Sequence, residues 1–234
     1  MSTFVIPPHP TTSLPVAGET GRFPVRRVFC VGRNYADHTR EMGGDPRTQP
    51  PVFFTKPADA VRPEGGTIPY PPATEELHHE VELVAALKGG GRGIPVARAL
   101  GAVYGYAVGI DLTRRDLQAR AKAAGEPWDA AKGFDLGAPV GVVSPCESLD
   151  GHPTQGRIQL SVNGQVRQSG DLSQMIWSVA EIIHHLSGLW ELRPGDLIFT
   201  GTPSGVGACG PGDHLEAVIA GLASLEVTLV PPRH

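Results

Sequence analysis

The residues best suited to metal chemistry lie in the stretch 75–87, where two glutamates stand just ahead of an apolar run. Glu80 and Glu82 are two residues apart, and because strand side chains alternate between faces, both carboxylates project from the same face, with His78 ahead of them. Adjacent carboxylates repel each other, and an apolar run disfavours charge. A divalent cation with oxygen ligands would relieve both penalties, so the pattern indicates a metal site. The alternative is a glutamate pair on the solvated face of an edge strand.

Asp111 is the candidate for a third metal ligand. It ends the apolar run 102–110, which predicts a buried strand, and it lies on the same side as the small residues Ala107 and Gly109. A carboxylate in this position is well placed to reach the same cation. The alternative is an acidic residue ahead of a helix predicted over 114–124, and the two interpretations are compatible.

The predicted helix 114–124 carries two polar side chains towards the same region. Gly125 is expected to close this helix, because glycine readily adopts the left-handed conformation that follows a helix end. Arg115 and Gln118 are three residues apart and therefore share a face, which points roughly where Asp111 points.

A histidine and a glutamate make a second candidate pair, at His38 and Glu41. Asn34 or Asp37 suits the start of a short helix and Gly43 suits its end, so the pair would share one helical face. A neighbouring carboxylate holds an imidazole in one tautomer and makes it a better base. The alternative is an exposed pair that contributes only a few tenths of a kcal/mol to stability.

Lys132 and Thr202 complete the chemically suggestive positions. Lys132 stands alone among small residues in the stretch 127–135, and a partly desolvated lysine stabilises an oxyanion or shuttles a proton, although an exposed lysine is commoner. Thr202 lies in the glycine-rich loop 201–207. This loop lacks the lysine of a phosphate-binding loop and no helix pattern follows it, which argues against a nucleotide. Its backbone N–H groups would suit a carboxylate, or it is a plain tight turn.

The elements that must position these residues are short. Thirty glycines and 23 prolines in 234 residues predict many short strands and defined loops rather than long helices. Asn163 and Gly164 predict a hairpin turn. The clearest helix is predicted over 173–186, with Ser173 as its cap and Gly188 as its stop. Residues 1–22 are expected to form an N-terminal arm, partly ordered at best, and residues 23–234 a single domain.

The overall composition excludes several classes of partner. A formal net charge of −4 argues against nucleic acid. No apolar run approaches the roughly 20 residues that span a bilayer, and the N-terminus lacks the pattern of a secretory signal. Cys30, Cys146 and Cys209 are far apart and odd in number, which predicts neither a metal knuckle nor a disulfide framework and fits a cytoplasmic location.

Four blocks, taken in order, resemble the fumarylacetoacetate hydrolase superfamily. They are Gly-Arg-Asn-Tyr at 32–35 with His38 and Glu41, the stretch 78–83, the stretch 105–116 that contains Asp111, and the stretch 193–207. Together they span roughly residues 25–230. Within the superfamily the chain most resembles the fumarylpyruvate hydrolases, through the stretches 23–27, 54–61 and 170–177.

The resemblance implies an α+β, β-rich fold with a rolled mixed sheet and a few short helices. It also implies a homodimer and a Mg²⁺ or Mn²⁺ ion, with Ca²⁺ as a substitute in a crystal. The residues that match the family's functional positions are Glu80, Glu82 and Asp111 as metal ligands, His38 and Glu41 as the pair on a mobile lid, Lys132 as the active-site lysine, and Arg115, Gln118 and Thr202 as substrate contacts. Arg33 and Lys56 are further candidates for binding the distal carboxylate of a substrate.

The activity implied by the resemblance is hydrolysis of the carbon–carbon bond of an acylpyruvate, such as 3-fumarylpyruvate in gentisate-type aromatic degradation. Sister activities are alternatives: an acylpyruvase, an oxaloacetate decarboxylase, a hydroxymuconate isomerase or decarboxylase, keto–enol isomerisation, or a preference for maleylpyruvate. A non-catalytic, metal-stabilised dimeric binding module is the alternative from another class.

Overall fold

The apolar runs of the sequence form strands of two large and two small sheets in a computed structural model that describes residues 3–35 and 50–232. The strands are β1 Ser13–Pro15, β2 Arg22–Pro24, β3 Arg27–Gly32, β4 Val52–Lys56, β5 Val61–Pro63, β6 Gly66–Pro69, β7 Leu77–His79, β8 Val81–Leu87, β9 Val103–Ile110, β10 Thr113–Arg114, β11 Ala138–Val140, β12 Ser144–Pro145, β13 Arg157–Val162, β14 Gln165–Asp171, β15 Asp196–Phe199, β16 Gly207–Cys209, β17 His214–Ile219 and β18 Leu225–Val230. Within the described residues the helices are α1 Val96–Ala99, α2 Arg115–Ala124, α3 Asp129–Lys132 and α4 Val179–Leu189.

The larger sheet is mixed, and both of its faces are covered. Its strand order is β4-β3-β15-β8-β9-β11-β5, with β12 added beside β9. All seven residues of the central strand β8 are buried. Leu83 and Leu87 pack into a core shared with the second sheet and α4, whereas Val84 packs on the other face, against Leu14 and Phe23 of the N-terminal hairpin. This arrangement explains why β8 is apolar at nearly every position instead of alternating.

The second sheet has the order β14-β13-β17-β18-β6 and packs its apolar side chains on the first. The expected turn at Asn163 and Gly164 joins β13 to β14, and both residues have a positive φ, of 52° and 75°. The expectation of a β-rich α+β fold with a rolled mixed sheet and short helices is confirmed. In the described part of the chain, no helix combines the length and apolar character needed to cross a membrane.

Two local expectations differ from the structure. The helix expected over 173–186 begins later, because Ser178 caps α4 and Glu181 returns the bond in a capping box, and α4 runs through Gly188 instead of stopping there. In the segment expected to be a poorly ordered arm, β1 pairs with β2 and Leu14 is fully buried. The reason is that this segment covers an apolar sheet face, which local composition does not reveal. The division of the chain into an arm and one domain remains a prediction.

Strand register places the chemically suggestive residues at one end of the β8–β9 pair. Glu82 lies opposite Gly109 in the antiparallel ladder. The Asp111 N–H donates to the Glu80 carbonyl oxygen at 2.8 Å, which extends the pairing beyond both strands. Gly109 leaves no room for a side chain, since an added Cβ would lie 2.5 Å from Val84 Cγ2 and 2.7 Å from a ring carbon of Phe199.

Substitution of Gly109 by alanine is expected to destabilise the protein by about 1–3 kcal/mol, the usual effect of overpacking a dense core. Urea unfolding followed by fluorescence measures the change. Gly188→Ala is the matched control, because a Cβ there meets nothing within 4 Å. In the helix α4, that substitution should stabilise by up to about 1 kcal/mol. Equal effects at the two positions would contradict this account of Gly109.

Candidate metal and active site

Three carboxylates meet at the end of the β8–β9 pair. Glu80 lies between β7 and β8, Glu82 lies in β8, and Asp111 directly follows β9. One oxygen from each lies within 4.8 Å of the other two, and all three side chains are buried. The structure therefore brings together the three residues that were predicted as metal ligands from separate stretches of the sequence.

The crowding of these carboxylates affects the pKa of Glu82. Burial, followed by the negative charges of Asp111 and Glu80, raises the pKa of Glu82 well above its ordinary value. Two interactions oppose this shift: the Gly201 N–H donates to Glu82 Oε2 at 2.6 Å, and the positive charge of Lys132 acts in the same direction. The glycine-rich loop was expected to offer its N–H groups to a ligand carboxylate, and this one is instead bound to a carboxylate of the protein.

Lys132 contacts the carboxylates from the cleft. Its Nζ donates to Glu80 Oε2 at 2.9 Å, to Asp111 Oδ2 at 2.7 Å and to the Thr113 hydroxyl at 2.6 Å. Burial by itself lowers the pKa of Lys132, but the charges of Asp111 and Glu80 outweigh burial and keep the pKa above its ordinary value. The side chain is therefore a protonated ammonium at the edge of the cluster.

Lys56 was expected to bind substrate, and the structure places it elsewhere. Its ammonium is fully buried behind Asp111, with Nζ 2.8 Å from Asp111 Oδ1. It donates to the carbonyl oxygens of Leu112, Lys132 and Gly137. Lys56 does not line the cleft. Its position at the end of β4 suggested an exposed cation, but the chain that follows β9 folds over it.

The donor set suits a divalent cation with oxygen ligands. An ammonium has three protons, and those of Lys56 are directed to the three carbonyl oxygens. Asp111 Oδ1 is therefore buried without a hydrogen bond from any residue in the described ranges 3–35 and 50–232. Three buried carboxylates that converge in this way supply the oxygen ligands that Mg²⁺ and Mn²⁺ take in proteins.

A cleft opens over the carboxylates. Its described lining residues are Val31, Gly32, Arg33, Phe54, Glu80, Glu82, Arg115, Gln118, Lys122, Trp128, Lys132 and Thr202. Helix α2 lies along this cleft and ends at Gly125 in the left-handed conformation, as predicted. Arg115 hydrogen-bonds Glu80, donates to Gln118 Oε1 and donates to His78 Nδ1 at 3.2 Å. The two predicted substrate contacts on α2 thus line the cleft beside the carboxylates.

The remaining predicted site residues divide into two groups. Arg33 and Thr202 line the cleft, and Thr202 also supports it, because its hydroxyl donates to the Val81 carbonyl oxygen at 2.8 Å and accepts from Gln168 at 2.7 Å. His38 and Glu41 lie outside the described residues.

Sequence reasoning missed Lys122 and Trp128, which also line the cleft. A signal for Lys122 was available, because it lies four residues after Gln118 and seven after Arg115 on one helical face. Trp128 follows the helix end and carried no local signal of its position.

Comparison with known proteins shows the family to which the chain is related. Residues 27–230 match the family described as fumarylacetoacetate (FAA) hydrolase C-terminal. The human mitochondrial oxaloacetate tautomerase FAHD1 is 42% identical over 209 residues, which cover 89% of this chain and 94% of that protein.

Two solved structures have the same fold. One is fumarylpyruvate hydrolase from Pseudomonas aeruginosa in complex with Mn²⁺ and pyruvate, which is 49% identical with a TM-score of 0.95 and covers 98% of this chain and 100% of its own. The other is 5-carboxymethyl-2-hydroxymuconate delta-isomerase from Mycobacterium smegmatis, at 34% identity and a TM-score of 0.79, covering 90% of this chain and 80% of its own. The chain belongs to the fumarylacetoacetate hydrolase family.

Proposed function

We propose that this protein is a metal-dependent hydrolase that cleaves the carbon–carbon bond of an acylpyruvate, with 3-fumarylpyruvate as substrate and fumarate and pyruvate as products. The observation that carries the proposal is the cleft in which three buried carboxylates meet a lysine and an arginine. The choice of substrate is supported by 49% identity over almost the whole chain to a fumarylpyruvate hydrolase whose structure holds Mn²⁺ and pyruvate.

Glu80, Glu82 and Asp111 are the proposed ligands of a Mg²⁺ or Mn²⁺ ion. When bound, the ion supplies a positive charge that polarises the oxygens of the substrate. The three carboxylates also favour a cation electrostatically, since burial, followed by the negative charges of Asp111 and Glu80, raises the pKa of Glu82 and a cation would offset all three effects.

Lys132 is proposed to stabilise the negative charge that develops on the leaving pyruvate group. Its ammonium is already held at the cleft floor by Glu80 and Asp111, so little reorganisation is needed when that charge appears. Arg115 and Gln118, on the adjacent helical face, are proposed to orient the pyruvate carboxylate, and Thr202 to keep the glycine-rich loop in place beside it.

His38, oriented by Glu41, is proposed from the sequence resemblance as the general base. It would take a proton from water, and the resulting hydroxide would bond to the acyl carbonyl carbon. The bond between that carbon and the pyruvate methylene then breaks, and the electron pair leaves as pyruvate enolate. Return of the proton from His38 to that carbon gives pyruvate, while the acyl group becomes fumarate.

A second candidate function is oxaloacetate tautomerisation, favoured by the 42% identity to the human oxaloacetate tautomerase. That reaction moves one proton within the substrate and needs no attacking water. The homodimer, the cytoplasmic location and a role in aromatic catabolism remain predictions that follow from the resemblance.

Turnover is expected to depend on the three carboxylates through metal binding. Glu82→Gln should weaken Mn²⁺ binding at least about tenfold, since even the partners of metal ligands contribute 10- to 100-fold. Calorimetric titration of metal-stripped protein measures the Mn²⁺ affinity, and the ultraviolet loss of the 3-fumarylpyruvate enol measures turnover. Glu75→Gln, an exposed glutamate just before β7, is the control. Full activity of metal-stripped wild-type protein would refute the proposed role.

Substrate choice and His38 separate the two candidate functions. The wild-type protein with Mn²⁺ is expected to consume 3-fumarylpyruvate faster than oxaloacetate, and His38→Ala should lower that rate about 10²- to 10⁴-fold, the usual contribution of a general base. His9→Ala, an exposed histidine near the N-terminus, is the control. Rapid enol–keto exchange of oxaloacetate with no cleavage of 3-fumarylpyruvate would instead favour the tautomerase.

The two lysines on Asp111 are expected to differ in their response to metal. Without metal, both Lys56→Met and Lys132→Met should lose about 3–5 kcal/mol of stability, because each removes one of the two buried cations that together offset the charge of Asp111. Added Mn²⁺ should restore most of the loss for Lys132→Met, since the ion neutralises the same carboxylates. It should not restore Lys56→Met, whose three carbonyl oxygens stay without donors. Urea unfolding with and without Mn²⁺ measures these stabilities. An equal gain in stability of both variants on adding Mn²⁺ would contradict the different positions assigned to the two lysines.

A further inference from the structure

Lys122 is a half-buried cation in the cleft to which the reaction outlined above gives no task. Its Nζ lies 5.2 Å from the centre of the Trp128 ring. Within residues 3–35 and 50–232 the ammonium forms neither a hydrogen bond nor an ion pair, and the Trp128 ring is its one close contact of this kind. It therefore faces an aromatic ring and the cleft without a counter-ion from the described part of the chain.

The charges that face Lys122 make this end of the cleft attractive to an anion. Three of them are cations: Arg33 after β3, Arg115 on the same helix, and Lys132 at the end of α3. Of the two carboxylates that line the cleft, Glu80 is already paired with Arg115 and Lys132, and Glu82 accepts from the Gly201 N–H. Burial, followed by repulsion from Arg115 and Arg33, lowers the pKa of Lys122 to about 8. Such a concentration of positive charge favours a negatively charged ligand.

Helix α2 sets the distance between this anion site and the carboxylates. Arg115 contacts Glu80 directly, so the start of the helix lies at the proposed metal site. Lys122 is seven residues beyond Arg115 on the same face, which is about 10 Å along the helix axis. That separation is comparable to the length of a seven-carbon diketo acid that carries a carboxylate at each end.

We infer that Lys122 binds a carboxylate at the acyl end of the substrate and makes the protein selective for diketo acids that carry this second carboxylate. The inference rests on the proposed function, because it takes the pyruvate end as the one held at Glu80, Glu82 and Asp111.

The first test compares two substrates that differ in the second carboxylate. Lys122→Met keeps the aliphatic stem over Trp128 and removes the charge. We expect kcat/KM for 3-fumarylpyruvate to fall about 10- to 100-fold, the range for a hydrogen bond between charged groups, mainly through KM. The loss should exceed the loss on acetylpyruvate about tenfold, because acetylpyruvate has no carboxylate at its acyl end. Equal losses on both substrates, or none, would overturn the inference.

A control and a conservative variant sharpen this test. Arg120→Met removes an exposed cation from the same helix and should not change the ratio of the two substrates. In the wild-type protein, kcat/KM for 3-fumarylpyruvate should fall above about pH 8, as the Lys122 ammonium loses its proton. Lys122→Arg stays protonated, so it should retain most of the selectivity and lose this alkaline fall. The same pH profile in both proteins would contradict a binding role for the charge.

Binding of fumarate and crotonate distinguishes failure of this inference from failure of the proposed function. Both are trans-unsaturated four-carbon acids, and only fumarate has a second carboxylate. If the wild-type protein cleaves no acylpyruvate, the proposed function fails. The carboxylate-binding role of Lys122 still stands if the Mn²⁺-loaded protein binds fumarate about tenfold more tightly than crotonate and Lys122→Met removes the difference. Equal binding of the two acids by wild-type protein, measured by calorimetry, overturns it.

Discussion

Repulsion among three buried carboxylates is the constraint on which the cleft depends. Strand pairing places Glu80 beside Asp111 and Glu82 opposite Gly109, so the charges cannot separate without breaking the β8–β9 register. A packed core does not deform gradually, and the repulsion must be offset by other groups. Those groups come from distant parts of the chain, which is why strands, a helix and a glycine-rich loop all converge on one end of two strands.

The cations that offset the carboxylate charges lie on two sides of the cluster, one behind it and one facing the cleft. Behind Asp111, Lys56 joins three segments of backbone through their carbonyl oxygens and gives Asp111 a fixed countercharge. In front, Lys132 shares Glu80 and Asp111 with the cleft. A fixed cation behind the carboxylates holds the fold whether or not a metal is present. The two lysines therefore differ in position although both contact Asp111, because Lys132 lines the cleft and Lys56 does not.

The features that were predictable from the sequence are local, and those that were not are tertiary. The strand before Asp111 and the end of α2 at Gly125 follow from apolar runs and a glycine signal, and both are confirmed. The prediction that Lys56 binds substrate was wrong, because its hydrogen-bond acceptors lie at least 56 residues away in sequence and no local pattern encodes them. The predicted start of α4 was wrong because both Ser173 and Ser178 suit an N-cap. Ser178 caps the helix in the structure, because Glu181 completes a capping box with it. Trp128 reaches the cleft only through the packing of α3, which no single-sequence pattern reveals.

The metal end of such a cleft does not determine the reaction. The chain resembles a fumarylpyruvate hydrolase, an oxaloacetate tautomerase and a hydroxymuconate isomerase, and one family fold thus serves three activities. The carboxylates are constrained by strand register, whereas Arg33, Lys122 and Trp128 lie on a loop, on the helical face that lines the cleft and at a helix start. Substitutions at these places leave the β8–β9 ladder untouched. The far end of the cleft is therefore able to vary without a change in the carboxylates, which is consistent with one fold serving relatives of different activity.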